Sequence, residues 1–190
     1  MKDSNPFSLR VDDLCEIFRI YEPDTPHYFR ILDVSDRWVL AESKADDGED
    51  YGIALVELES ICRIRFGSRL VQKLFSNKES VPNLRAPSGK LELSNLEEIE
   101  TQYGCITVYC EENDKEQCFI GKALRVKEGV LFLMEYRPID SDDQTCLALF
   151  LVDITRIEAG GDYEARLLEF YEKKREYTST VEAVEKVWLR

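Results

Sequence analysis

The sequence has a single histidine, His27, and no pair of cysteines spaced CxxC. A zinc site needs four ligands, usually in closely spaced pairs. Cys105 and Cys110 have four residues between them, so in a strand they face opposite sides, and one histidine cannot complete a second pair. No metal or cofactor is therefore expected. Cys–His catalysis needs a thiol, an imidazole and an orienting third group together, and nothing in the spacing assembles them. There is no Gly-rich phosphate loop and no nucleophile elbow, so the expectation is a non-enzymatic protein. No stretch reaches the ~18 apolar residues of a membrane helix. The N-terminal run Met1-Lys2-Asp3-Ser4-Asn5-Pro6 has no long apolar core like a signal peptide's. Basic charge is also short: 25 Lys and Arg against 38 Asp and Glu give a net charge of −13. Proteins that neutralise phosphates need clustered cations. Broad binding to nucleic acid or anionic membrane is disfavoured, and a basic protein partner is the complementary expectation.

What is present describes a globular chain. Of 190 residues, 44% are apolar and 33% charged, which suits one or two domains. The six cysteines, Cys15, Cys62, Cys105, Cys110, Cys118 and Cys146, all sit in apolar-patterned segments. Without an export signal they read as reduced thiols of a cytoplasmic protein.

The chain reads as a duplication. Residues 11–21 match 93–103: Leu14, Glu16, Ile17 and Tyr21 recur as Leu96, Glu98, Ile99 and Tyr103. Residues 31–43 match 123–135, with Leu32 and Val34 recurring as Leu124 and Val126. Residues 58–67 match 151–160, with Leu58, Ile61, Arg63, Ile64 and Gly67 recurring as Leu151, Ile154, Arg156, Ile157 and Gly160. In the first copy Val11, Leu14, Cys15 and Phe18 fall at helical spacing, predicting a leading helix. In the second, Ser94 with Glu97 forms a capping-box pattern ahead of Leu96, Ile99 and Tyr103. Hairpins follow, at His27–Val34 with Trp38–Ser43 and at Gln117–Val126 with Val130–Tyr136. Acidic loops come next, at Lys44–Asp50 and Pro138–Gln144. Each copy then has an apolar run, a short kink and a closing strand. Cys105–Cys110 reads as an extra strand that the first copy lacks. The expected units are residues 1–75, a linker at 76–90, residues 91–161, and a helical extension at 162–190. In that extension Leu167, Leu168, Tyr171, Val181, Val184 and Trp188 supply apolar faces, with a possible restart at Ser179 and Glu182.

Two acidic groups invite a chemical reading. From Asp46 a twelve-residue count ends on Glu57, but Gly48 falls third instead of sixth, so a solvated turn is expected and not a calcium loop. Asp33, Asp36 and Glu42 resemble paired acids, yet Asp36 lies in a turn where Asp is common.

The strand-kink-strand segment 53–66, repeated at 147–159 behind a leading helix, resembles the Sm-like branch of the SH3-like barrels, which includes a bacterial RNA chaperone. The segment Tyr51-Gly52-Ile53 leading to Leu58, Ile61, Arg63 and Ile64 also resembles a family of uncharacterised bacterial proteins. The resemblance implies an α+β, mainly β fold: two small Sm-like barrels in tandem, each preceded by a short helix, plus the helical extension. It offers RNA binding as an alternative function. The uridine-binding pattern is not matched residue by residue: the first hairpin has no Asn, Phe66 separates Arg65 from Gly67, and Glu57-Leu58 stands where the chaperone has Lys-His. No RNA-binding residue is carried over. The candidate partner contacts are Arg63 and Arg156, which share a repeat position, and Tyr51. The aromatics Tyr28, Phe29, Trp38 and Tyr51 suit stacking or packing. Homodimerisation through barrel edges is a further expectation.

Overall fold

The structure is a computed structural model that describes residues 6–77, 83–115, 117–136 and 145–175, with backbone only at 172–175. The strands are β1 (Leu14–Arg19), β2 (Glu22–Val34), β3 (Trp38–Lys44), β4 (Asp50–Glu57), β5 (Ile61–Phe66), β6 (Ile106–Tyr109), β7 (Cys118–Lys127), β8 (Val130–Glu135), β9 (Thr145–Phe150) and β10 (Arg156–Gly160). The helices are α1 (Arg69–Leu74), α2 (Leu93–Tyr103) and α3 (Asp162–Arg175). The ten strands of the described residues belong to one open antiparallel sheet, in the order β5-β1-β2-β3-β4-β10-β6-β7-β8-β9. This corrects the expectation of two closed small barrels. The edge that would have closed each barrel is used instead to join the halves, through β4 and β10.

The repeat shows in the topology. The second half follows the order of the first with every strand number raised by five. Single 3-10 turns at Leu58–Ser60 and Leu151–Asp153 form the kinks before β5 and β10. The β2–β3 ladder skips Leu32, between the pairs Ile31–Ala41 and Asp33–Leu40. The β7–β8 ladder skips Leu124, between Ala123–Leu133 and Arg125–Phe132. The bulged residue is thus the same in both copies, and a bulge bends its strand there.

One block of the repeat is placed differently from expectation. Residues 14–19 are a strand, not a helix, and the topological counterpart of β1 is β6, the strand read as extra. β1 lies between β2 and β5, with Cys15, Glu16, Ile17, Phe18 and Arg19 all buried. A strand covered on both faces loses its two-residue alternation, and its apolar positions then imitate helical spacing. The helix α2 does form at 93–103, with Leu96 and Ile99 buried. Its cap, however, is the Glu92 N–H donating to Asn95 Oδ1 at 3.0 Å, ahead of the Ser94–Glu97 pattern. Val181, Val184, Trp188, Ser179 and Glu182, and the loop Pro138–Gln144, lie outside the described residues.

The core crosses the junction. Val39, Ala41, Ala54 and Val56 pack with Cys15, Ile17, Phe29 and Ile31 on one face of the sheet. Trp38, Leu40, Ile53 and Leu55 pack on the other with Leu96, Ile106, Val108, Leu131, Leu133 and Ile157. Alternate residues of β3 and β4 therefore serve two cores, and the second core belongs to both halves. The linker is pinned to this core: Trp38 Nε1 donates to Gly89 O at 3.0 Å, and Asp33 and Asp36 accept the N–H groups of Ala86 and Gly89. Asp33 and Asp36 are thereby structural acceptors. A third cluster seats α3, with Leu167 and Tyr171 against Cys105, Ile120, Met134 and Tyr136.

Candidate functional site

Beside the junction of β4 and β10 opens a cleft of about 410 Å³, lined among others by His27, Tyr51, Tyr109, Arg156, Glu158 and Glu164. Two of the three sequence candidates, Tyr51 and Arg156, meet there. The third, Arg63, lies on β5 at the far edge of the sheet.

Arg156 is 7% exposed. Its guanidinium carbon sits 3.7 Å from the centroid of the Tyr109 ring. Its Nη1 donates to Glu158 Oε1 at 2.7 Å and its Nη2 to Glu111 Oε1 at 3.2 Å. Glu111 is fully buried and also accepts from Arg19 and, at 2.8 Å, from Thr155 Oγ1. Arg19, itself fully buried, reaches Glu22 at 2.5 Å, and Glu22 meets His27 Nε2 at 2.9 Å. Tyr109 Oη donates to Glu158 Oε2 at 2.8 Å. The result is one polar chain, His27–Glu22–Arg19–Glu111–Arg156–Glu158–Tyr109. Its first three members come from the first half and its last four from the second, and both of its ends reach the cleft.

Electrostatics follow from this pairing. The hydrogen bond to His27, aided by Arg19 and opposed by burial, pushes the Glu22 carboxyl down to about 2. Burial is the first cause of the raised Tyr109 phenol, with Glu158 adding to it, so the phenol stays a donor. Arg156 remains cationic because the carboxylates around it outweigh burial. Burial also pushes the Cys15 and Cys105 thiols up to about 12, the environment of packed and not reactive sulfur.

Arg63 repeats the stacking of Arg156 without its burial. Its guanidinium carbon lies 3.9 Å from the Phe18 ring centroid, and Nη2 donates to Pro23 O at 3.1 Å. Of the other aromatics singled out, Phe29 and Trp38 are core, Tyr28 is half-buried and Tyr51 is exposed. The acidic loop is a tight turn, with Ala45 N–H donating to Glu49 O at 2.8 Å and Glu49 N–H to Asp47 Oδ1 at 3.0 Å. Among the described residues no group of His, Cys, Asp and Glu is placed to hold a metal ion, and no helix is long and apolar enough to cross a membrane.

Sequence reasoning missed Arg19, Glu22, Glu111 and Glu158. The available signal was a charge ending an apolar strand: Arg19 after Ile17-Phe18, and Glu111 after Ile106 to Cys110. A buried charge at such a place requires a partner. Comparison with protein-family models, curated proteins and solved structures finds no match to this chain.

Proposed function

We propose that the protein is a non-enzymatic protein-binding or adaptor protein whose cleft receives a cationic side chain of a basic partner. The observation that carries this is the cleft's lining, which brings the carboxylates Glu49, Asp162 and Glu164 together with the rings of Tyr51 and Tyr163. Tyr51 is 46% and Tyr163 60% exposed, so two rings stand open at its mouth. A cation over an aromatic face gains from the ring quadrupole, and flanking carboxylates add Coulombic attraction. The cleft's own cation, Arg156, is paired with Glu111 and Glu158, so the negative field the cleft offers comes from Glu49, Asp162 and Glu164. The net charge of −13 favours encounter with a basic partner on the same grounds.

The test is fluorescence anisotropy with a labelled arginine-rich peptide at two salt concentrations. Binding should weaken with salt, and Tyr51→Ala combined with Asp162→Asn should weaken it about tenfold, or about 1.4 kcal/mol. An acidic peptide of equal length should not bind. Equal affinity of wild type and variant removes the cleft from the reading. Tighter binding of a single-stranded RNA than of the peptide replaces it with the RNA-binding alternative.

A further inference from the structure

Among the described residues, the sheet pairs two of its repeat edges internally and leaves the equivalent two without a neighbouring strand. At the junction β4, the fourth strand of the first half, pairs with β10, the fifth strand of the second. The outermost strands are β5, the fifth strand of the first half, and β9, the fourth strand of the second. The edge that β4 uses recurs on β9, and the edge that β10 uses recurs on β5. We propose that β9 of one chain pairs with β5 of a second copy of this chain, in the register of the internal junction. This goes beyond the cleft and is independent of it.

The register is specified. At the junction Arg156 faces Val56, Ile157 faces Leu55, Glu158 faces Ala54 and Ala159 faces Ile53. Moving each strand to its repeat equivalent sets Arg63 opposite the partner's Leu149, Ile64 opposite the partner's Ala148, Arg65 opposite the partner's Leu147, and Phe66 opposite the partner's Cys146. The next pair is Gly52–Gly160 at the junction. Thr145 stands in the place of Gly52, so the outer ladder stops one pair earlier.

Three observations fit these edges to each other. First, β9 (Thr-Cys-Leu-Ala-Leu-Phe) carries no charge and no proline, the devices that blunt a solvent-facing edge. Second, Phe66 is 50% and Phe150 61% exposed; Phe66 closes the proposed ladder at one end, and Phe150 follows its last pair at the other. Third, the cations of β5 are drawn back onto their own sheet: Arg63 lies over Phe18, and Arg65 Nη1 donates to Glu16 at 2.8 Å. Arg156 adopts the same stacked pose on Tyr109 while β4 pairs with its strand, so an arginine at this position is compatible with a neighbour. The contact joins different surfaces of the two copies. It is heterologous, and it repeats into a closed ring or an open filament, not an isologous pair.

The test uses full-length chain in which the exposed or half-exposed thiols Cys62, Cys118 and Cys146 are replaced by Ser. One tagged variant carries Ile64→Cys and a differently tagged one Ala148→Cys. Residues directly opposed in antiparallel strands lie within disulfide reach. Mixing and oxidising should yield the mixed dimer, with neither variant alone cross-linking comparably. The double variant should form a ladder of multimers. In parallel, wild type should sediment above its 22.1 kDa chain mass, and Ala148→Lys should sediment at that mass with unchanged circular dichroism. A monomeric wild type at tens of micromolar overturns the proposal, as do Ile64→Cys homodimers in preference to the mixed pair, or a cross-link only in a shifted register.

Discussion

Strands β4 and β9 occupy the same place in the two halves, as do β10 and β5, yet their surroundings are opposite. Ile53, Ala54, Leu55 and Val56 are at most 1% exposed, whereas Ala148 and Phe150 face solvent. Arg156 is buried between carboxylates, and Arg63 is exposed on an edge. Similar strands have been given a dry neighbour once and an open flank once. The polar chain through Arg19 and Glu111 runs only where the two halves meet. Buried ion pairs of this kind contribute little net stability against an apolar alternative, but they penalise any arrangement that leaves one partner unmatched. A shift of one half against the other would separate Glu111 of the second half from Arg19 of the first.

The largest break in the comparison should come from Glu111→Ala. It leaves Arg19 and Arg156 buried without their shared carboxylate, and loss of about 3–5 kcal/mol is expected in urea unfolding. The matching cut near the outer edge, Glu16→Ala on β1, frees Arg65 of β5, whose side chain is 58% exposed, and should cost about 1 kcal/mol or less. Equal losses would mean that the junction is energetically no different from the edge.

The next contrast is between two glycines at one repeat position. Gly67 and Gly160 both adopt left-handed backbone, with φ of 79° and 86°. A Cβ at Gly160 would lie 2.3 Å from the Tyr103 ring, while at Gly67 it meets nothing within 4 Å. Gly67→Ala should therefore show only the left-handed penalty of about 1–2 kcal/mol. Gly160→Ala should add about 1–3 kcal/mol of overpacking, read as a further drop in melting temperature.

Two carboxylates sharpen the contrast through pH, with opposite signs. Burial raises Glu100 from 4.5 to about 7, while the Ala123 N–H it accepts partly opposes that shift. Between those values the folded chain holds a proton the unfolded chain has released, so stability falls as pH rises through that window. Glu100→Gln, which keeps the acceptor, should flatten that fall by about 1–2 kcal/mol in unfolding at pH 5 and pH 8. Glu22, lowered from 4.5 to about 2 in the junction network, contributes above pH 4.5 and loses its contribution as pH falls toward 2. Because it is partly exposed, Glu22→Gln should cost only about 1 kcal/mol at pH 7 and nothing near pH 2. A Glu22→Gln chain with unaltered acid sensitivity would detach this residue from the network.

Several elements were legible in the residues, and the failures have physical causes. Leu32 and Leu124 match as repeat positions, and the structure makes each the bulged residue of its strand, a feature the match does not announce. Arg63 and Arg156 match as one repeat position, and the structure adds that each stacks on the aromatic paired with it in the ladder, Phe18 and Tyr109. The leading helix of the first copy was misread, since a strand buried on both faces hides its period. The cleft was half legible. Tyr51 and Arg156 were singled out, but Glu158, Tyr109 and Glu164 reach it only because β10 lies beside β4 and α3 follows.

From the residues alone came the apolar, strand-rich character of the chain, its acidity, its hairpins and its repeated strand-kink-strand unit, all of which depend on neighbours close in sequence. Tertiary structure alone decided that the sheet stays open, that β4 meets β10, and that β5 and β9 are outermost. Ladder hydrogen bonds are made by the backbone, which is alike in every strand, so side-chain order cannot by itself say which edge finds a partner.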